Sequence, residues 1–555
     1  MFKNKLRHSK RMQEIINAFV KNGLRHFLFR LGLTKQDSAD TDPIDQVNLQ
    51  DVGVKLRQAL QELGPTFIKL GQIASTRRDL VPPEISIELA KLQDHVAPFP
   101  FEQVKEIIEY ELDAPIEELF STFDPEPLAT ASIGQVHAAR LPSGEQVAVK
   151  VQRPNIRPVV DTDLSILADF ARFLEANTDW AETYHLRDMI DEFSSSLTDE
   201  LDYRIEGRNG ERIAKQFAEQ PDIRIPAVFW DYSTNKVLTA EMLHGIKAND
   251  VQQLDAEGYD RGLIAQRIVD SMFYQVLEMG FFHGDPHPGN IFIRPGNIIA
   301  YMDFGMVGRL TDELKFHFAS LIVNMRNGDS DGMIDTFEEM GILPDDLDLR
   351  LFKRDLDTLQ TKYYDVSLNE IHLGAIFMEL FQVAYHHHIQ IPSEISILGK
   401  AILTLEGLIS ELDPEFSIMK AVEPYGEKLM KERYNPLNFA QDSIKQWMEN
   451  YQILTHLPKD IKDITRTIKK GKMQLDINLK QTHTFLNRLD QISNRLSFSI
   501  ILLSFSILMV GVIIGSSIAG QRNLLWDLPV IEIGSIIAGL MFVFLLYRIF
   551  RSGKM

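Results

Sequence analysis

FFHGDPHPGNIFI, residues 281–293, and YMDFGMVG, residues 301–308, place Asp285, Asn290 and Asp303 among apolar residues that read as strand. Carboxylates are costly to bury in such surroundings unless they meet cations, so the two segments predict a site for metal and polyphosphate. Asp285 and Asn290 lie five apart on an irregular stretch that contains Pro286 and Pro288. Asp303 follows a short apolar strand, IIAYM, and precedes Phe304-Gly305, where glycine lets the chain turn sharply behind the carboxylate. Turn carboxylates capping local backbone account for any one of these residues, but not for all three at this spacing.

Oxygen donors of this kind suit Mg2+, which keeps several of its waters. In phosphoryl-transfer sites of the protein-kinase type, the first Asp orients or deprotonates the acceptor and the Asn holds one Mg2+. The later Asp bridges Mg2+ to the β- and γ-phosphates. Lys150, in the alternating stretch QVAVKV, is placed on a strand from which an ammonium can reach the α- and β-phosphates if a carboxylate orients it. Its candidate partners lie in DELDYRIEGRN, residues 199–209, where Glu200, Asp202 and Glu206 read as sharing one helix. Glu206 is the expected partner of Lys150.

Working outward, residues 127–155 read as strand, turn, strand, with Pro142 to Gly144 in the turn. RIPAVFWDY, residues 224–232, and KVLTAEML, residues 236–243, are further strand candidates. Helical patterns dominate from Asp260 to Met279 and again beyond Thr311, so a small mixed lobe precedes a mostly helical one. Upstream, Val52 to about Leu92 has helical spacing broken at Gly64-Pro65 and Pro82-Pro83. Residues 12–30 carry apolar positions among Lys and Arg, a pattern that can lie on a membrane surface or dock on the protein. The chain thus divides into a basic segment 1–48, a helical extension 49–125, a mixed lobe 126–245, a helical lobe 246–455, a juxtamembrane segment 456–495 and an apolar pair 496–547.

That last region differs in kind. LSFSIILLSFSILMVGVIIGSSIAG, residues 496–520, has no charge over 25 residues, enough at about 1.5 Å per residue for a bilayer core of about 30 Å. VIEIGSIIAGLMFVFLLY, residues 530–547, follows a short loop with Trp526 as an interfacial residue. Lys469, Lys470, Lys472, Arg488 and Arg495 before the pair, and Arg548, Arg551 and Lys554 after it, predict a hairpin with both flanks in the cytoplasm, against the single vote of Arg522 in the loop. The 555 residues and an apolar content of 45% imply several folded units. A net charge of -20 disfavours nucleic acid as a partner, and the absence of cysteine leaves Asp, Glu, His, Lys and Ser for any chemistry. The basic start, MFKNKLRHSKR, lacks the apolar core of a secretory signal.

VAVK, HGDPHPGN and DFG occur together with KLGQ at residues 69–72, STRRDLVPPE after it, LQD at 92–94 and ELD at 200–202. In this combination the chain resembles the UbiB/ABC1/Coq8 family of atypical protein-kinase-like ATPases. The resemblance implies an α+β, two-lobed kinase-like fold with a helical N-terminal extension and a C-terminal transmembrane hairpin. It implies ATP and Mg2+ as cofactors, and Lys150, Glu206 and Asp285 as the catalytic set. Asn290 and Asp303 follow as metal ligands. Ala129, Thr130, Ala131 and Ser132, with Glu241 and Met242 at the lobe junction, follow as nucleotide contacts. The matching position of Lys69 approaches Glu200 and Asp202, and Lys69 and Gln72 share a helix face packed across the place where a peptide substrate would lie.

ATASIGQ, residues 129–135, stands where kinases carry a glycine-rich loop, and Thr130 replaces the middle one of the family's usual three alanines. Gly284 stands where kinases have Arg, and no Ala-Pro-Glu segment follows Asp303. These departures weigh against protein phosphorylation and against activation by loop phosphorylation. The resemblance implies instead a membrane-anchored ATPase or small-molecule kinase in ubiquinone or menaquinone synthesis, at the bacterial cytoplasmic membrane with its catalytic part on the cytoplasmic side. Expected partners are the lipid membrane, quinone precursors, quinone-synthesis proteins and a second copy of the chain as a homodimer. A nucleotide-binding scaffold and a protein kinase acting in trans are the alternatives. Two other signals are discounted: NGDSDGMIDTFE, residues 327–338, reads as an interhelical turn capped by Asp329 or Asp331 and not as a calcium loop, and His386, His387 and His388 read as solvent-exposed.

Overall fold

The alternation in GQVHAAR and QVAVKVQ produces two strands whose inward faces need a cover. In the computed structural model, β1 (Thr122–Thr130), β2 (Gly134–Arg140) and β3 (Gln146–Gln152) form an antiparallel sheet in sequence order. It is completed by Val237–Glu241, the fifth strand of the chain. The structure describes residues 2–25, 48–92, 97–178, 181, 185–344, 347–363, 372–422 and 424–425, together with the helical positions Ile500, Leu503, Ile507, Val510 and Ile514. Val147, Val149 and Val151 of β3 are fully buried against Phe99, Val104 and Ile108 from the segment that includes a helix over Phe101–Leu112. Lys150 consequently projects from the opposite face, toward the second lobe.

In chain order the helices that frame this sheet are α1 (Phe2–Lys21), α2 (Leu49–Leu63), α3 (Pro65–Thr76), α4 (Pro83–Leu89), α5 (Phe101–Leu112), α6 (Ile156–Asn177), α7 (Leu186–Glu200) and α8 (Tyr203–Gln216). The helix expected across Glu200, Asp202 and Glu206 is broken. Glu200 ends α7, and Asp202 is the N-cap of α8, its carboxylate accepting from the Arg204 backbone N–H at 3.1 Å. An Asp at this position satisfies an amide that an uninterrupted helix would leave to its own carbonyls. The strand expected over residues 224–232 shrinks to β4 (Ile223–Arg224), one bridge from Val228 to Ala240, and a 3-10 turn at Trp230–Tyr232. Pro226 has no N–H to give a ladder there.

The second lobe begins after β5 (Val237–Glu241) with β6 (Ile246–Lys247) and α9 (Arg261–Phe273), followed by β7 (Phe281–His283), β8 (Ile291–Arg294), β9 (Ile298–Tyr301) and β10 (Val307–Arg309). One small sheet runs β4-β9-β8-β6 and another pairs β10 with β7. Phe281, Phe282, Ile291, Ile293 and Tyr301 sink into the main core, which holds the segments carrying Asp285, Asn290 and Asp303 at the surface facing the first lobe. Helices α10 (Asp312–Asn327), α11 (Ser330–Glu339), α12 (Leu349–Thr361), α13 (Leu373–His386) and α14 (Ser393–Leu412) complete it. Between α10 and α11, Gly328 takes a left-handed φ of 68° and Asp329 caps α11 by accepting from Gly332 N–H at 2.9 Å, so the interhelical turn is Gly328-Asp329 alone and the rest of 327–338 belongs to the two helices. His386 and His388 are exposed, but His387 is half-buried, bonded to Asp355 at 2.9 Å and packed on Phe352.

The chain divides into two compact units, Met1–Ser443 and Ile444–Met555. No helix among the described residues is long and apolar enough to cross a membrane. The hairpin expected over 496–547 lies outside the described residues except for Ile500, Leu503, Ile507, Val510 and Ile514, all of them exposed. Of the N-terminal pattern over 12–30, residues 26–30 lie outside the described residues, and the described part docks on the protein. α1 packs on α2 and α6, with Ala18 buried and Arg11 bonded to Asp163 of α6 at 2.7 Å and to the Leu63 carbonyl at 2.6 Å. Asp163 is only 1% exposed, so removing its cation leaves a charge stranded in the fold. Arg11→Met should therefore destabilise the chain by about 3 kcal/mol in urea unfolding. Adding Asp163→Asn to that variant should recover part of the loss.

Candidate active site

β3 delivers Lys150 and the first turn of α8 delivers Glu206. The ammonium lies 2.9 and 2.8 Å from the two carboxylate oxygens, a bidentate contact between side chains 16% and 14% exposed. The Tyr203 ring lies under the same ammonium at 5.3 Å, and its hydroxyl has no hydrogen-bond partner among the described residues. Burial works against the charge on Lys150, but Asp303 and Glu206 outweigh it and hold the amine well above its ordinary range. Burial raises the Glu206 carboxyl, with Lys150 pulling it the other way.

Asp303 follows β9 in a left-handed conformation, φ 55°, and its carboxylate accepts from Gly305 N–H at 3.1 Å. The expectation of a buried carboxylate needs correction. Asp303 is enclosed by the fold on most sides but its residue surface is exposed, because it faces the open cleft. Lys150 holds its carboxyl below the ordinary carboxylate value, against burial. Phe304 turns the other way, 6% exposed, against Gly210 of α8, while its carbonyl accepts from Asn209 Nδ2 at 3.1 Å. A kinase-like site requires a lysine–glutamate pair and an outward-facing Asp ahead of Phe-Gly, and Lys150–Glu206 and Asp303 have that geometry.

His283 connects the two motifs. Its Nδ1 accepts from Asp285 N–H at 3.1 Å and its Nε2 lies 3.0 Å from the Met302 carbonyl, so the ring is the neutral Nε2–H tautomer. Asn290 donates to the Asp285 carbonyl at 3.3 Å, and its own carbonyl accepts from Met302 N–H at 2.8 Å. The Asp285 carboxylate faces Lys400 of α14 at 3.3 Å. Asp285, Asn290, Asp303, Lys150 and Glu206 thus converge on one cleft.

The remaining residues divide. Lys69 of α3 meets Glu200 at 2.7 Å. Asp202 pairs instead with Arg204 at 2.6 Å, its carboxylate being committed as the cap of α8. Gln72 donates to the Leu92 carbonyl at 3.2 Å and so ties the extension to itself. Ala129 and Thr130 end β1, Ala131 N–H closes the following turn on the Gly134 carbonyl at 2.8 Å, and Ser132 is buried; none of the four has a positive φ. A Cβ on Gly134 would run into Tyr203 and the Val151 carbonyl, which is why this position is glycine. Glu241 is spent on Arg224, at 2.8 and 2.7 Å, and Met242 N–H on the Gln146 carbonyl at 3.0 Å. These two contacts tie the lobe junction together.

A small antiparallel lobe and a helical lobe, with a strand lysine clamped by a helix glutamate opposite an Asp-Phe-Gly turn, define an atypical kinase-like protein. The model of the ABC1 atypical kinase-like domain matches residues 91–337, that of the UbiB helical domain residues 356–417, and that of the ABC1/UbiB kinase-like C-terminal domain residues 480–551. The "Probable protein kinase UbiB" of Pseudomonas aeruginosa is 37% identical over 413 residues, 74% of this chain and 77% of that one. The protein of the same name in Xanthomonas campestris pv. campestris is 34% identical over 446 residues, 78% and 80%. "Uncharacterized protein sll1770" of Synechocystis sp. is 34% identical over 439 residues, 78% and 75%. A Mycobacterium tuberculosis protein solved in complex with erythromycin aligns with TM-score 0.47 and 24% identity over 68% of this chain and 95% of its own. The chain belongs to the UbiB/ABC1 family of atypical kinase-like proteins.

Burial holds the His283 imidazole below its ordinary value, against the pull of the Met302 carbonyl. The folded state therefore prefers the neutral ring. The stability this contributes is complete above the unfolded value of about 6.5 and is lost as pH falls below it, where a protonated Nδ1 would face the Asp285 N–H. His137 shares the direction, so the contribution of His283 is read by difference. The drop in melting temperature from pH 7 to pH 5 should be shallower in His283→Gln than in the parent chain.

Proposed function

We propose that this chain is a Mg2+-dependent ATPase or small-molecule kinase, anchored in the bacterial cytoplasmic membrane, that supports the synthesis of an isoprenoid quinone. The observation that carries the reading is the formed Lys150–Glu206 pair opposite Asp303, with Phe304 packed inward. A scaffold that only organised other proteins would have no use for this alignment. The relatives named for a UbiB protein kinase support the kinase-like class and, through that name, ubiquinone as the quinone.

When bound, Mg2+ would offset the negative charge of the phosphate oxygens that repels an attacking oxygen. Asn290 and Asp303 are the residues that would hold it. No group of three His, Cys, Asp or Glu side chains able to hold a metal occurs among the described residues. That is compatible with an ion that relies on waters and substrate phosphates. Lys150 binds the phosphates nearer the nucleoside, its orientation set by Glu206. Asp285 orients the attacking oxygen and accepts its proton.

Water or a small hydroxyl is favoured over a protein side chain as the acceptor, because α3 reaches the site through Lys69 and packs against α14. Asp303→Asn should abolish ATP hydrolysis with the melting temperature retained, as followed by phosphate release. Parent-level turnover in the folded variant would refute the metal role.

Anchoring rests on the uncharged run 496–520 and the basic residues on both flanks of the pair. Truncation at about Asn494 should release the chain from membranes in fractionation. A truncated protein that resists both salt and carbonate washes would place the anchor elsewhere.

A further inference from the structure

Asp285 has no cation in its own loop. Pro286, Pro288 and Gly289 carry no charge, and His287 is exposed with Nδ1 accepting from Gly289 N–H at 3.1 Å. Kinases place an arginine immediately before this Asp; here the position is Gly284, and α14 shows why. A Cβ on Gly284 would lie 3.0 Å from Ile397 Cγ2 of α14 and 3.0 Å from Met306 Cγ, so a side chain here would have to displace its neighbours. One turn beyond Ile397, the same helix supplies Lys400, whose ammonium lies 3.3 Å from Asp285 Oδ2. Its other contact among the described residues is a weak one, the Met306 sulfur at 3.7 Å. Charge-assisted N–H···O bonds of a locked pair run about 2.7–2.9 Å. An ammonium has three donors, and this one is 26% exposed beside a carboxylate that is 35% exposed. It has donors to spare for a second anion next to Asp285.

We infer that Lys400, carried by the helical domain at residues 356–417, is a positioning residue for phosphoryl transfer: it aims the Asp285 carboxylate and presents its remaining N–H groups to the γ-phosphoryl oxygens of the bound nucleoside triphosphate. The inference rests on the function proposed above and gives the helical domain a part in it. As the attacking oxygen forms its bond to the γ-phosphorus, the bond from phosphorus to the β,γ-bridging oxygen breaks. The nucleoside diphosphate leaves with that electron pair, and the attacker's proton passes to Asp285. The negative charge that develops on the phosphoryl oxygens beside Asp285 would then meet the Lys400 ammonium, which already stands 3.3 Å from that carboxylate. A purely structural lysine would instead balance Asp285 in the resting fold and leave turnover to the metal and Lys150.

The test uses the full-length chain in detergent or vesicles with Mg2+-ATP, comparing Lys400→Met, Lys400→Gln and Lys400→Arg with the parent and with Asp303→Asn. Loss of a donor aimed at developing charge lowers kcat by about 10²-fold. The expected result is a fall of that order in Lys400→Met and Lys400→Gln with KM for ATP nearly unchanged, and substantial recovery in Lys400→Arg. Should Lys400→Met fail to fold, the Arg and Gln variants decide: turnover kept in the first and lost in the second supports the role, and equal turnover in both overturns it. Variants that match the parent in kcat while Asp303→Asn is dead remove this inference and leave the function standing. A parent chain with no Asp303-dependent hydrolysis removes both.

Discussion

The bidentate contact of Lys150 with Glu206 is the interaction on which the site depends. It spans a strand and a helix of one lobe, and its charge reaches into the other. Either group alone would be a charge with little access to water, a loss of about 3–5 kcal/mol when such a pair is broken from one side. The pairing therefore constrains where α8 begins. Asp202 caps that helix, Glu206 falls in its first turn, and Gly207 and Gly210 let Trp230 and Phe304 approach the helix on other faces. Phe304 in turn leaves Asp303 facing Lys150. A single ion pair thus orders the cap, the helix packing and the direction of the Asp303 carboxylate.

The same balance is repeated with different elements. Glu200 at the end of α7 meets Lys69 from the extension, and Asp285 meets Lys400 from the helical domain. Glu206, Glu200 and Asp285 are each matched by a lysine distant in sequence, so these pairings also bring separate parts of the chain together. This explains why the catalytic loop can dispense with the arginine that kinases use. Ile397 of α14 and Met306 crowd its place, and a lysine on α14 restores a cation nearby.

Much of this site was legible before any coordinates, for local reasons. Lys150, Asp285, Asn290 and Asp303 sit in short segments where alternating apolar residues, prolines and glycine fix the surrounding backbone. Glu206 could be singled out because only a few carboxylates lie in the right stretch. The break at Asp202 was hidden because helical periodicity continues through Leu201, although Asp before Tyr203-Arg204 is itself a cap signal. The pairing of the Glu241 carboxylate with Arg224 had no sequence signal, because the two lie beside each other only in the folded chain. His283 carried a usable signal as the residue preceding Gly284-Asp285. Lys400 carried none, since on an amphipathic helix a lysine reads as solvated until the fold brings that face to Asp285.

The extension touches the site at two removes, and the two are mechanically linked. Lys69 of α3 binds Glu200 directly. A few residues on, Asp79, 1% exposed and paired with Arg77 at 2.9 Å, accepts from Ile391 N–H at 3.1 Å immediately before the first turn of α14. That buried bond pins the start of the helix that carries Lys400. A displacement of the extension that freed Glu200 would therefore also strain the anchor of α14, and with it the spacing of Lys400 from Asp285. Ordinary kinases leave this face open for a peptide and regulate it with a phosphorylated loop. Here α3 and α14 lock to one another through a carboxylate just after the first and a backbone amide just before the second, and each places one lysine against a carboxylate of the cleft, so one packing arrangement sets both charge contacts.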